Sequence, residues 1–92
     1  MQARRRDDFL PHRRGFFTYQ EAAVKIGKIV EACFEIADIP AGTIGKVIRI
    51  EQRIIGCSLV VEWNYKLTPQ RKQWPLEDSF GFYTYGAYLK EL

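Results

Sequence analysis

The stretch Asp38-Ile39-Pro40-Ala41-Gly42-Thr43-Ile44-Gly45-Lys46-Val47-Ile48-Arg49-Ile50 constrains the chain more than any other. Pro40 has no N–H and a fixed φ, so an incoming strand has to stop there. Ala41-Gly42 then makes a turn, in which Gly42 takes positive φ without steric cost. Thr43–Ile50 is β-branched at five of eight positions and predicts a strand. Gly45 lies just inside it, where a missing side chain allows a bulge or a close approach to the backbone. The instruction is a turn followed by a kinked strand.

The elements on either side follow from local signals. Thr18-Tyr19-Gln20-Glu21 has the spacing of a capping box and predicts a short helix ending near Ile26, with Gly27 beyond it. Lys28–Ile36 alternates, with Val30, Ala32, Phe34 and Ile36 on one face and Glu31, Cys33 and Glu35 on the other. Ala23, Ile26, Val30, Cys33 and Ala37 also fit a helical period, so one helix over 19–37 is the competing reading, with Gly27 costing it about 1 kcal/mol. We take helix, then strand. The next strand runs Thr43–Glu51, with Gln52-Arg53 as a two-residue connection. Ile54–Trp63 forms a third, placing Ile55, Cys57, Leu59, Val61 and Trp63 on one face. Asn64–Gln70 is a loop, and Arg71–Leu76 a short fourth strand that Pro75 confines to an edge or an end. A short helix from Tyr83 to Glu91 closes the chain, with Phe82, Tyr85, Leu89 and Leu92 on one face and Gly86 as its weak point.

The residues Gly42–Ile48 resemble the turn and second strand of SH3-like small barrels, including KOW-type modules and small photosynthetic accessory subunits. Phe80–Tyr85, with Tyr88 and Leu89, is similar to the closing helical turn of small proteins of that type. The resemblance spans residues 28–92 and carries no catalytic residue. It implies a mainly β fold: an SH3-like small barrel of four to five antiparallel strands with a short N-terminal helix and a short C-terminal helix. It also implies a habit of docking onto larger partners.

Ninety-two residues make one domain with a limited core, burying about 60–65% of the unfolded surface. Residues 1–15 read as a flexible basic arm and 16–92 as the barrel domain. No apolar run is long enough to span a membrane, and no apolar segment follows the basic N-terminus as a secretory signal requires. The expectation is a cytoplasmic protein with no membrane partner, whose Cys33 and Cys57 are free thiols.

The formal net charge of +3 resolves into two unequal parts. Arg4, Arg5, Arg6, Arg13 and Arg14 outweigh Asp7 and Asp8, so residues 1–14 hold the whole excess. Residues 15–92 are balanced, with nine basic and nine acidic side chains.

Catalytic groups are few. His12, the only histidine, sits in the arm, where a general base cannot be held in place. Cys57 falls on an apolar face and reads as a core residue, while Cys33 lies between Glu31 and Glu35, which disfavour its thiolate. Glu31 and Glu35 could act as paired carboxylates, but a solvated face explains them as well and no third ligand accompanies them. No phosphate-binding glycine loop and no zinc spacing occurs. We therefore expect no enzyme, no metal, no cofactor and no small-molecule substrate, unless an active site is assembled across subunits.

Aromatic residues are abundant: six Phe, five Tyr and two Trp. The candidate protein-binding set is Tyr65, Trp74, Phe82, Tyr83, Tyr85 and Tyr88, because exposed Tyr and Trp make binding hot spots. The competing reading is that these rings cap the ends of a small barrel. The leading functional expectation is a non-catalytic interaction module that docks on a protein partner or forms a homo-oligomer. The alternative is RNA or DNA binding through Arg4, Arg5, Arg6, Arg13 and Arg14, with Lys46, Arg49, Arg53, Arg71 and Lys72 adding charge and Tyr65 or Trp74 stacking on bases.

Overall fold

The computed structural model describes residues 15–64 and 76–92. The arm up to Arg14, the loop from Tyr65 to Gln70 and most of the expected fourth strand, Arg71–Pro75, lie outside the described residues. The described chain is mainly β, with elements in the order α1 (Tyr19–Ala23), β1 (Ile29–Ala32), β2 (Ile44–Arg53), β3 (Gly56–Trp63), β4 (Glu77–Phe80), α2 (Phe82–Tyr88) and β5 (Leu89–Glu91). All pairings are antiparallel, in one five-stranded sheet of order β4-β3-β2-β1-β5. The sheet is open, with β4 and β5 as its two edges and α2 carrying the chain from one to the other.

The capping box forms as its spacing predicts. Thr18 Oγ1 accepts the Glu21 N–H at 3.2 Å, and Glu21 Oε1 accepts the Thr18 N–H at 2.9 Å. The helix is shorter than expected and gives way at Val24 to a turn. Gly27 then takes φ +90° and donates its N–H to the Val47 carbonyl. That left-handed residue, tied to β2, removes the competing helix over 19–37.

Strand β1 stops at Ala32, not at Ile36. Val30 and Ala32 point into the core as the alternation predicts, but Phe34 is exposed. The chain reverses between Ile36 and Ile39, which exchange both backbone hydrogen bonds, with Ala37 at φ +45°. Ile39 is buried by this reversal. The Pro40–Thr43 turn is as expected: Gly42 has φ +92°, and Thr43 donates both its N–H and its hydroxyl to the Pro40 carbonyl.

The kink in β2 lies three residues beyond Gly45. The pairing with β3 shifts between Val47 and Arg49, which leaves Ile48 as the extra residue of a bulge. Gly45 serves the other purpose foreseen for it, close approach. A Cβ there would stand 2.7 Å from both Cε3 of Trp63 and Cγ1 of Val61.

The β2–β3 hairpin turns at Ile54-Ile55, since Arg53 pairs with Gly56 and Gln52 with Cys57. This corrects the connection expected at Gln52-Arg53. The cause is tertiary: Phe17 and Cys57 exchange backbone hydrogen bonds at 2.8 Å, and the segment carrying Phe16 lies so close over Gly56 that a Cβ would meet Phe16 Cβ at 2.6 Å. Glycine is therefore needed at the start of β3, and the turn falls on the residues before it.

Two corrections concern the C-terminal third. The fourth described strand is Glu77–Phe80, beyond the Arg71–Leu76 stretch expected to form it, and Leu76 precedes it in the core. The closing helix ends at Tyr88; Leu89 is extended and begins a strand paired with β1, Ala32 opposite Leu89 and Val30 opposite Glu91. Ladder hydrogen bonds along the open edge of β1 outweigh one more turn of a helix already weakened by Gly86. The core comprises Val30, Ile39, Val47, Leu59, Val61, Trp63, Leu76 and Phe80, with Phe17, Tyr85 and Leu89 closing one end. Among the described residues no helix is long and apolar enough to cross a membrane.

Candidate functional site

The segment before α1 sets the site. Phe17 precedes the N-cap and Ala22 is the fourth helical residue, the two positions of a hydrophobic staple, and both are buried. The Phe17 ring meets Phe82 and Tyr85 edge-on, with centroids 5.4 and 5.7 Å apart, and Phe82 meets Tyr83 edge-on at 5.3 Å. Edge-to-face contacts of this kind lock ring orientation. The Gly15 carbonyl accepts the Phe82 N–H at 2.8 Å, so the start of the domain and α2 are held together.

These rings floor an open hollow of about 550 Å³, with Leu89 at its base and Lys25 and Glu91 beside it. Tyr85 is almost fully buried, while its hydroxyl donates to Glu91 Oε2 at 2.8 Å. Lys25 forms an ion pair with the same carboxylate oxygen, and its Nζ lies 5.5 Å from the Tyr85 ring centroid, within cation–π range. Tyr83 is 60% exposed at the lip. A second hollow of about 320 Å³, lined by Phe80, Thr84 and Tyr88 among others, lies where α2 meets the Glu35–Ala37 bend. There Phe34 and Tyr88 stack edge-on at 6.0 Å, both substantially exposed.

Burial, and then the hydrogen bond to Glu91, push the Tyr85 phenol well above its ordinary range. The Lys25 ion pair, followed by the Tyr85 hydroxyl, holds the Glu91 carboxyl below its ordinary value. The stability arising from Glu91 is present above the unfolded carboxyl pKa, about 4.3, and is lost as pH falls through the folded value. The stability arising from Tyr85 is complete below the unfolded phenol pKa, about 10, and is lost as pH rises beyond it. Urea midpoints across the pH range should therefore form a plateau that declines at both ends. Tyr85→Phe should remove its contribution to the alkaline decline; a wild-type and a variant curve of identical alkaline shape would contradict this linkage.

Of the six aromatic candidates, the structure gathers Phe82, Tyr83 and Tyr85 at the first hollow and puts Tyr88 at the second. Tyr65 and Trp74 lie outside the described residues. Phe17, Lys25 and Glu91 were not foreseen. The staple position of Phe17 was a usable signal, but Lys25 and Glu91 are 66 residues apart and nothing local joins them.

The cationic candidates are arranged differently. Arg49 donates to Glu77 at 2.8 Å, a bond that holds its guanidinium more firmly protonated. Arg53 donates to Glu51, Ser58 and Ser79, and Ser79 in turn donates to Glu51. Together they form a polar lattice across β2, β3 and β4. Lys46 is exposed, opposite Glu62 in the ladder. Arg4, Arg5, Arg6, Arg13, Arg14, Arg71 and Lys72 lie outside the described residues, as does His12. Cys33 is exposed and Cys57 buried, both free thiols. Among the described residues no three His, Cys, Asp or Glu side chains gather into a metal-binding group.

No protein-family model, curated protein or solved structure matches the chain.

Proposed function

We propose that this chain is a non-catalytic interaction module, built on an SH3-like small barrel, that holds an extended segment of a protein partner in the hollow between α2 and β5. The observation that carries this reading is the set of locked rings, Phe17, Phe82 and Tyr85, flooring an open hollow with Tyr83 at its lip and a Lys25–Glu91 pair beside it. An apolar, preorganised floor with a few polar groups is what a ligand groove requires, and SH3-type grooves take extended or proline-rich segments on such rings. The strand order supports the barrel, since β5 returns to β1 after the four-strand meander and α2 bridges the two edges. Self-association through the same surface is a sub-case.

The test is selection of phage-displayed peptides on the full chain, with Tyr83→Ala as the comparison. Tyr83 is exposed, so its loss leaves the core intact. Extended or proline-rich peptides should be enriched, and their affinity should fall about tenfold in the variant, as for a hot-spot aromatic. No enrichment, or peptides indifferent to Tyr83→Ala, would remove the groove reading. Sedimentation of the same two proteins tests the self-associating sub-case. RNA or DNA binding through the Arg-rich arm is the other reading, and with Arg49 and Arg53 held by carboxylates it rests mainly on residues 1–14. Salt-sensitive binding that vanishes without those residues and ignores Tyr83→Ala would favour it.

A further inference from the structure

The outer edge of β5 presents backbone groups in a defined order. Cys33 donates its N–H to the Tyr88 carbonyl and Leu92 its N–H to the Ile29 carbonyl, at 2.8 and 2.9 Å. Ladder bonds alternate along an antiparallel pair, so Lys90 turns its backbone toward Glu31, while Leu89 and Glu91 turn theirs away from β1. The Leu89 N–H closes α2 on the Tyr85 carbonyl. The Leu89 carbonyl and both backbone groups of Glu91 face outward, and among the described residues no strand pairs with them. Of the two sheet edges only β5 borders the aromatic hollow, which Leu89 and Glu91 also line. Lys90, between them, points to the opposite face and is exposed.

Those groups decide what can occupy the edge. Only an extended polypeptide offers donors and acceptors in alternation at strand spacing; a nucleic acid or a lipid headgroup does not. A second copy of this chain is a poor occupant. Outward-facing residues must pair with outward-facing residues, so a symmetric antiparallel pairing is centred on Lys90 or on Glu91, the Leu89 N–H being already taken. The first sets two lysines face to face and the second two glutamates, and like charges directly opposite destabilise a ladder. A lysine on a short edge strand also guards against unspecific pairing. Charge selects further. Lys25, Lys28 and Lys90 outnumber Glu31 and Glu91 along this edge, and Lys25 and Lys28 both favour the ionised Glu91 carboxylate.

We propose that the partner's extended segment joins the sheet as a sixth strand, antiparallel to β5, with an acidic residue opposite Lys90 and apolar residues on either side of it. The inference rests on the hollow being a peptide groove. The residue opposite Glu91 exchanges both backbone hydrogen bonds with it, and the residue opposite Leu89 gives its N–H to the Leu89 carbonyl. Their side chains fall on the face of Leu89 and Glu91, toward Phe82 and Tyr85 in the hollow. The acidic residue takes the position without backbone bonds to β5, where facing side chains lie closest, and meets Lys90. Recognition is thereby divided. Main-chain bonds fix direction and register, the hollow reads apolar side chains, and Lys90 reads charge. A proline-rich segment fits this edge poorly, because proline has no N–H to give.

The test is an NMR titration of the full chain, labelled with nitrogen-15, with acetylated and amidated peptides. The probes are Thr-Val-Glu-Val-Thr, Thr-Val-Lys-Val-Thr, Pro-Pro-Leu-Pro-Pro, and the acidic peptide N-methylated either at both valines or at its central glutamate alone. The acidic peptide should slow exchange of the Glu91 N–H at least about tenfold and bind about fivefold more tightly than the lysine peptide. Methylating the valine nitrogens, which face β5, should cost about tenfold, and methylating the glutamate nitrogen, which faces away, far less. Lys90→Glu changes an exposed side chain and should reverse the preference between the acidic and lysine peptides. A Glu91 N–H already protected in the free chain would overturn the proposal, because the edge would then be covered. Equal losses from the two methylations, or a preference that Lys90→Glu leaves unchanged, would overturn it too. Binding of the proline-rich peptide that depends on Tyr83 while the Glu91 N–H exchanges freely would remove the added strand and leave the groove standing. No binding by any of the peptides would remove both.

Discussion

Gly45→Val should leave the chain largely unfolded at room temperature, and Gly45→Ala should lower the thermal midpoint by roughly 5–20 °C. Gly45 is the second residue of β2, opposite Trp63 in the ladder, and its hydrogen faces the Trp63 ring and a Val61 methyl. Neither neighbour can retreat. Both are fully buried, and the Trp63 indole is anchored by its N–H to Asp78 Oδ2 at 2.7 Å and by an edge-on contact with Phe80. One inserted methyl in such a place costs about 1–3 kcal/mol, and valine adds two further carbons. A domain of this size has only about 5–10 kcal/mol of stability in all. Circular dichroism melts would measure it, with tryptophan fluorescence reporting on the Trp63 environment. An alanine variant that melts with the wild type would show that Trp63 does not pack across β2 at this point.

Tyr85→Ala is expected to destabilise the fold by about 3–5 kcal/mol, as truncation of a buried aromatic does. The change would leave a void between Phe17 and Leu89 and release Glu91 from one of its two partners. Tyr83→Ala, two residues away, should shift stability by no more than about 0.5 kcal/mol, because that ring stands largely in solvent. Tyr85→Phe separates ring from hydroxyl and should cost about 1 kcal/mol for the hydrogen bond. Urea denaturation of the three variants gives the ordering directly. Equal stability for Tyr85→Ala and Tyr83→Ala would mean that the ring is not a core element. The expected gap has a practical consequence: loss of partner binding in Tyr85→Ala would report unfolding, whereas Tyr83→Ala tests the groove itself.

The aromatic surface shows how far sequence carries. Spacing marked Phe82, Tyr85, Leu89 and Leu92 as one apolar face; the first three turn toward the core, and Leu92 is exposed. The same spacing implied a helix through Glu91. It cannot distinguish that helix from a shorter one followed by a strand that keeps Leu89 inward. Strand β1 shows the converse. Its alternation correctly gave Val30 and Ala32 inward positions, yet Phe34 continues the pattern into a bend and ends exposed. Periodicity records which residues can share a face; it does not record where the partner strand ends. The candidate cations show a third limit: Arg49 is a free charge in the sequence, and only the folded sheet brings Glu77, 28 residues on, within reach of it, whereas Arg53 pairs with Glu51 two residues earlier on its own strand.

The sequence by itself determined the features whose physics is complete within a few residues. These are the Thr18–Glu21 cap, the Pro40–Thr43 turn with its left-handed Gly42, the inward positions of Cys57, Leu59, Val61 and Trp63 in β3 and the division of charge between arm and body. Only the tertiary structure decided where elements end, which of two roles Gly45 takes, that the hairpin turns on Ile54-Ile55, and that Lys25 and Glu91 meet at Tyr85. The reason is range. Caps, turns and pleats are set by backbone sterics and hydrogen bonds between near neighbours, which a short stretch carries whole. Strand ends, close approaches and buried pairs depend on surfaces supplied from far along the chain, and they exist only once the sheet has assembled with its core.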